Sequence, residues 1–136
     1  MTTDTPLLIR DFMTPVPETI DPDLTLAQAA ERMFRLQVRH LPVVRGGNLV
    51  GILSQRDVAV LQSIPGCDPA TCTVNQAMVP TPFTCGPRAH VHAVAEEMAR
   101  HKYGAAVVVD RDHPSHVVGV FTTVDALRAL ASISAE

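Results

Sequence analysis

IRDFMTPVPETIDP, residues 9–22, and VNQAMVPTPFTCGP, residues 74–87, read against each other without a gap. Met13 falls on Met78, Pro15 on Pro80, Pro17 on Pro82 and Pro22 on Pro87, an offset of 65 residues. The same offset carries Ala30 to Ala95, Met33 to Met98, and Val43 and Val44 to Val108 and Val109. From Gly51 on Gly119 to Asp57 on Asp125 the offset is 68, because the second copy gains three residues in DRDHPSH, residues 110–116. One unit of about sixty residues is therefore written twice.

Each copy carries the same order of local signals. In the first, a short strand at Thr19 and Ile20 precedes Thr25, whose Thr-x-x-Gln pattern with Gln28 matches a capping box and starts a helix near Leu26. Leu26, Ala29, Ala30, Met33 and Phe34 fall at helical spacing, so that face is buried while Gln28, Glu31, Arg32 and Arg35 stay wet. LPVV (Leu41 to Val44) and LVGIL (Leu49 to Leu53) are short and β-rich, with Gly46 and Gly47 turning between them, and predict a hairpin. A second helix follows Ser54. The second copy repeats the order through Val91 to Met98, AAVVV, HVVGVF and Val124 to Leu130. The expected organisation is one repeat over 8–62, a Pro- and Gly-containing connector over 63–73, and a second repeat over 74–131.

The fold class that follows is α/β of the α+β kind, two β-α-β-β-α repeats packed with pseudo-twofold symmetry. About three strands with two helices on one face leave an apolar surface that needs a partner, and the other copy supplies it. Such pairing creates two equivalent clefts between the sheets, places suited to small molecules.

Composition narrows the function. The 136 residues are 46% hydrophobic, enough for a core without metal or disulfide support, and the net charge of -3 does not suit a nucleic-acid or membrane-surface binder. Met1 to Leu8 lack a basic segment leading into an apolar one, and no run is long enough to cross a bilayer, so the expected compartment is the cytoplasm. Cys67, Cys72 and Cys85 are odd in number and form no C-x-x-C pair, which fits a reducing compartment, although one bridge remains open.

The chemistry concentrates at Gly51-Ile52-Leu53-Ser54-Gln55-Arg56-Asp57 and Gly119-Val120-Phe121-Thr122-Thr123-Val124-Asp125, each at a strand-to-helix junction. A helix start presents unpaired amides and partial positive charge where phosphate can dock, and the Ser54 or Thr122 hydroxyl adds a hydrogen bond. An Asp three residues on offers two acceptor oxygens suited to the paired hydroxyls of a ribose. The same Ser-x-x-Asp and Thr-x-x-Asp patterns are also ordinary helix caps that need no ligand.

The M-T-P and P-x-T-I-x-P opening, RHLPVV, and the doubled Gly-apolar-apolar-Ser/Thr-x-x-Asp motif together resemble a tandem pair of cystathionine-β-synthase (CBS) domains, the Bateman module, over nearly the whole chain. The resemblance implies a regulatory module, commonly dimeric, that binds adenosine-containing ligands such as AMP, ADP, ATP, NAD or S-adenosylmethionine and performs no turnover. It implies that Asp57 and Asp125 hold ribose hydroxyls and that Ser54 and Thr122 lie by the phosphate. It also implies that Thr19, Ile20, His40, Leu41 and Pro42 frame the base in one cleft, and Thr84, Cys85, Ala105, Ala106 and Val107 in the other. Arg56 can pair with phosphate whereas its counterpart Val124 cannot, and RHLPV gives way to GAAVV in the second copy, so the clefts should differ and the first is favoured.

No nucleophile-and-base motif is present, and the six histidines match no standard zinc spacing, so no catalytic residue, catalytic cofactor or metal site is assigned. Val58, Leu61, Leu127, Leu130 and Ile133 are more apolar residues than one small sheet needs, which points to a homodimer or to core. Expected partners are an adenosine compound as regulatory ligand, a second copy, and a regulated protein, with no membrane or nucleic acid. The competing reading is a stress-response interaction protein that keeps the fold, binds no nucleotide, and responds to redox or metal through its cysteines and histidines.

Overall fold

A computed structural model of the chain describes residues 5–15 and 18–133. Pro17 of the repeat alignment and Met1 to Asp4 of the leader lie outside the described residues. The element order is β1 (Thr14–Pro15), α1 (Leu26–Leu36), β2 (His40–Arg45), β3 (Asn48–Ser54), α2 (Gln55–Gln62), α3 (Val74–Ala77), β4 (Thr84–Cys85), α4 (Val91–His101), β5 (Ala105–Val109), β6 (Val117–Thr122) and α5 (Thr123–Ser132). The fold is α+β, and no described helix is long and apolar enough to cross a membrane.

Local chemistry sets the element ends. α1 begins at the expected capping box: the Gln28 amide donates to Thr25 Oγ1 at 3.2 Å and the Thr25 amide to Gln28 Oε1 at 2.9 Å. β2 and β3 form the expected hairpin, joined by Gly46 and Gly47 at φ 59° and 83°, the left-handed conformation a two-residue turn demands. The strand expected at Thr19 and Ile20 is shorter than predicted. It is a single parallel bridge from Ile20 to Val43, with the Ile20 amide donating to Pro42 O at 3.0 Å.

The chain folds as two compact units, one of Met1–Pro17 with Phe83–Glu136 and the other of Glu18–Pro82. These units cut the chain differently from the sequence repeats, because the opening segment of each copy packs with the body of the other. In the first unit, β1 pairs antiparallel with β6, Thr14 opposite Val120, giving a sheet ordered β1-β6-β5-β4. In the second, Val79 occupies the matching edge of the β2-β3 hairpin, exchanging hydrogen bonds with Ile52 at 3.0 and 2.9 Å.

Each unit has its own core. Ile20, Leu26, Met33, Leu41, Val43, Leu53, Val58 and Val74 are buried together in one. Ile9, Val91, Val94, Met98, Ala106, Val108, Phe121 and Ala129 fill the other. Large apolar side chains of this kind contribute roughly 1.5–3 kcal/mol each when removed from water. Ile9 and Val74 belong to the exchanged openings, so the openings supply core as well as an edge strand.

The exchanged segments explain the glycine that begins each junction motif. A Cβ on Gly51 would stand 2.6 Å from Met78 Sδ and 2.8 Å from Val79 O; on Gly119 it would stand 2.5 Å from Met13 Sδ and 3.0 Å from Thr14 O. Gly51→Ala and Gly119→Ala should each lower unfolding stability by about 1–3 kcal/mol in urea titrations. Gly86→Ala, where a Cβ meets nothing within 4 Å, should change it by less than about 0.5 kcal/mol.

Candidate functional site

The two junction motifs fold into the same local device. Ser54 and Thr122 are the N-caps of α2 and α5, and Asp57 and Asp125 sit three residues into those helices. The Ser54 amide donates to Asp57 Oδ2 at 2.9 Å and the Asp57 amide donates back to Ser54 Oγ at 2.9 Å. The Thr122 amide donates to Asp125 Oδ2 at 2.9 Å and the Asp125 amide to Thr122 Oγ1 at 3.3 Å. The capping role weighed from sequence is therefore real in both copies.

What the cap leaves over differs between them. Thr122 also donates its hydroxyl proton to Asp125 Oδ2 at 3.1 Å, and Arg128 approaches Asp125 Oδ1 at 3.5 Å. Asp125 is 4% exposed, with Oδ2 hydrogen-bonded and Oδ1 in an ion pair with Arg128. Asp57 is half-buried, and among the described residues its Oδ1 accepts no hydrogen bond and the Ser54 hydroxyl donates none. Arg128, which also donates to Phe12 O at 3.1 Å, is matched in the first copy by Val60, which carries no charge. Arg128 stands three residues after Asp125, the spacing at which side chains on one helix pair.

The helix starts are also partly occupied. The Gln55 amide donates to Arg39 O at 2.8 Å and the Thr123 amide to Gly104 O at 3.1 Å. Since the third amide bonds the cap hydroxyl, only the second, on Arg56 or Val124, carries no hydrogen bond among the described residues. Arg56 is exposed beside it.

The structure brings His40 to this junction: it stands opposite Ser54 in the β2-β3 register. Burial is the main influence on its imidazole and lowers its pKa from 6.5, against a raising influence from Asp57 and a smaller lowering one from Arg39. Leu41 follows with its side chain in the core beside Ile20, and Pro42 is fully buried. The Thr19 carbonyl accepts from Arg32 at 3.1 Å. In the second copy Ala105 stands opposite Thr122 in the β5-β6 register. Ala106 points into its unit's core, and Ala105 and Val107 are buried as well.

Thr84 and Cys85 lie farther along, on β4, parallel to Val107 and Val108. Cys85 packs against the core of its unit, and burial pushes its thiol up to about 12. Both residues line a cleft of about 870 Å³ with Arg88, Val109, Asp110 and Arg111. That cleft lies at the end of β5 opposite to Thr122 and Asp125. A smaller one, about 450 Å³, lies beside the start of α2 and is lined by Phe34, Gln37, Arg39 and Gln55. Among the described residues no three His, Cys, Asp or Glu side chains converge as metal ligands would.

The sequence profile of the CBS domain matches residues 9–63 and 74–132, and the chain belongs to the CBS-domain family. It is 29% identical over 112 residues to the CBS domain-containing protein YhcV of Bacillus subtilis, spanning 82% of this chain and 79% of that protein. Other curated relatives, several bearing enzyme names, are longer, and the chain spans between 13% and 24% of their length. The CBS domain pair of protein MJ0100, in complex with 5′-methylthioadenosine and S-adenosyl-L-methionine, superposes with a TM-score of 0.86 at 25% identity, covering 96% of this chain and 100% of that one. CBSX2 of Arabidopsis thaliana in complex with AMP gives 0.79 at 25% identity, covering 93% and 97%.

Two outcomes follow from this geometry. Removing the cap acceptor with Ser54→Ala should cost about 0.5–2 kcal/mol of unfolding stability in denaturant titrations. Because the folded protein disfavours protonated His40, the unfolded chain binds that proton more readily. Stability present above His40's ordinary pKa of 6.5 should fall as the pH drops below it. Melting curves taken from about pH 7 down to about pH 5 should show that loss, and His40→Gln should flatten it.

Proposed function

We propose that this CBS-domain pair is a regulatory module that binds an adenosine-containing nucleotide and responds by a change of conformation or of dimer geometry, without turnover. The observation that carries the reading is the asymmetry at Asp57: its Oδ2 is fixed by the Ser54 amide while Oδ1, the Ser54 hydroxyl and the Arg56 amide keep their hydrogen-bonding capacity. A carboxylate held at one oxygen and open at the other suits a ribose hydroxyl, and the hydroxyl, amide and guanidinium suit phosphate. The adenosine compounds held by MJ0100 and CBSX2 support the class of ligand. His40, opposite Ser54, with Thr19, Ile20, Leu41 and Pro42, is the proposed frame of the base.

In the second copy Thr122 and Asp125 are turned toward each other and toward Arg128, so a ligand there has to displace existing bonds. Thr84, Cys85, Ala105, Ala106 and Val107 are its proposed frame, but only Ala105 stands opposite Thr122 while Thr84 and Cys85 line the cleft toward the other end of β5, and the first copy is the stronger site. A ligand shifts such a module only through unequal affinity for its states.

Thermal unfolding in the presence of AMP, ADP, ATP, NAD and S-adenosylmethionine tests the reading. At one hundred times Kd a ligand of the native state adds roughly 2.7 kcal/mol, raising the midpoint by on the order of 10 °C. Asp57→Ala should abolish the shift, each protein being compared with its own unliganded midpoint, while Asp125→Ala should leave most of it. No shift with any of the five compounds would overturn nucleotide sensing.

We infer also that the module is a homodimer. Val124, Leu127 and Leu130, at i, i+3 and i+6 of α5, are 58%, 63% and 65% exposed, an apolar stripe that a second copy would cover. Sedimentation should give a dimer for the native chain and a monomer for Leu127→Glu; a native monomer would remove the inference.

A further inference from the structure

The connector between α2 and α3 carries two of the three cysteines, at the two ends of one turn. Asp68 O accepts the amides of Thr71 at 2.8 Å and Cys72 at 2.7 Å, and Asp68 Oδ1 accepts that of Ala70 at 3.0 Å. The chain is thereby folded back, with Cys67 entering the turn and Cys72 leaving it. Both thiols are partly buried against the same core of the Glu18–Pro82 unit. Their proximity registers chemically: the neighbouring Cys72 thiol is the largest influence holding Cys67 up at about 11, with burial and the Asp68 charge adding to it. Cys85 belongs to the other unit.

The same turn caps α1. The Leu26 amide donates to Cys72 O at 2.9 Å and the Ala27 amide to Pro69 O at 3.0 Å, so the first two amides of that helix end on the connector. Whatever fixes the turn fixes the start of α1.

We propose that Cys67 and Cys72 form a reversible dithiol–disulfide site, closed by exchange with a small-molecule disulfide, whose bridge locks the connector onto the N-terminus of α1. In the exchange one cysteine thiolate attacks a sulfur of the small disulfide, breaking its S–S bond and releasing one thiolate, which takes up the proton the cysteine lost. The second cysteine, deprotonated in turn, attacks the protein sulfur of the mixed disulfide and releases the other small thiol. The two cysteines give up two electrons and two protons, and the small disulfide becomes two thiols. Because only a thiolate attacks, exchange quickens in alkali. The site does not depend on nucleotide binding.

Oxidised glutathione in mildly alkaline buffer is the probe. On Cys85→Ser, which leaves two cysteines, the intact monomer should lose about 2 Da, regained with dithiothreitol, and Cys67→Ser should show no such loss. In the native chain, fragmentation of the tryptic peptide from Asp57 to Arg88, which contains all three cysteines, should place the bridge between Cys67 and Cys72. Hydrogen exchange of the Leu26 and Ala27 amides should be slower in the bridged form. Glutathione left attached to a single cysteine, a bridge that includes Cys85, or thiols that stay free would overturn the proposal, and a bridge without slower exchange at Leu26 and Ala27 would overturn its action on α1.

Discussion

Everything in the two sheets depends on a close passage of backbone along β3 and β6. Val79 runs beside Ile52, and Thr14 beside Val120, and the strand they border carries a glycine where the approach is tightest. A side chain at Gly51 or Gly119 would meet a carbonyl oxygen and a methionine sulfur at less than van der Waals distance. The segments that approach come from the opening of the opposite copy. Each unit therefore draws an edge pairing and a core residue, Val74 or Ile9, from outside its own repeat. Neither repeat, taken as a continuous stretch of chain, contains the whole of the unit it builds.

The same junctions place the candidate ligand groups, and they do so by giving one carboxylate two duties. In both copies the aspartate anchors the start of a helix by accepting the cap amide on Oδ2. Capping and ligand binding compete only if the group is exhausted. At Asp125, Oδ2 takes both the cap amide and the Thr122 hydroxyl and Oδ1 faces Arg128 at 3.5 Å; at Asp57 one oxygen remains. Two copies that share a motif thus differ in what the motif has left to offer, and the difference comes from Arg128 standing where the first copy has Val60. Arg56 against Val124 adds to it.

The connector links these features. It leaves α2, the helix that Ser54 and Asp57 begin, and returns to accept the first amides of α1 before handing the chain to α3 and Val79. Cap, turn and edge strand of the Glu18–Pro82 unit therefore lie along one continuous run from Ser54 to Val79. Changes in the turn act directly on the backbone bonds that close α1.

The sequence alone determined the repeat, the capping boxes at Thr25, Ser54 and Thr122, the hairpin at Gly46 and Gly47, and the junction residues, because all of these rest on contacts between residues near one another in the chain. The short extent of the strand at Ile20 was less legible, since a strand's length depends on what pairs with it. Only the tertiary structure decided that each opening joins the other copy's unit, that Leu41 and Ile20 give their side chains to the core, and that Arg128 takes up the second oxygen of Asp125. Pairing across an edge, burial of a side chain and the choice of a partner for a carboxylate oxygen depend on residues far apart in sequence. Spacing along the chain records that Asp57 and Asp125 are equivalent, and the distances around them make them different.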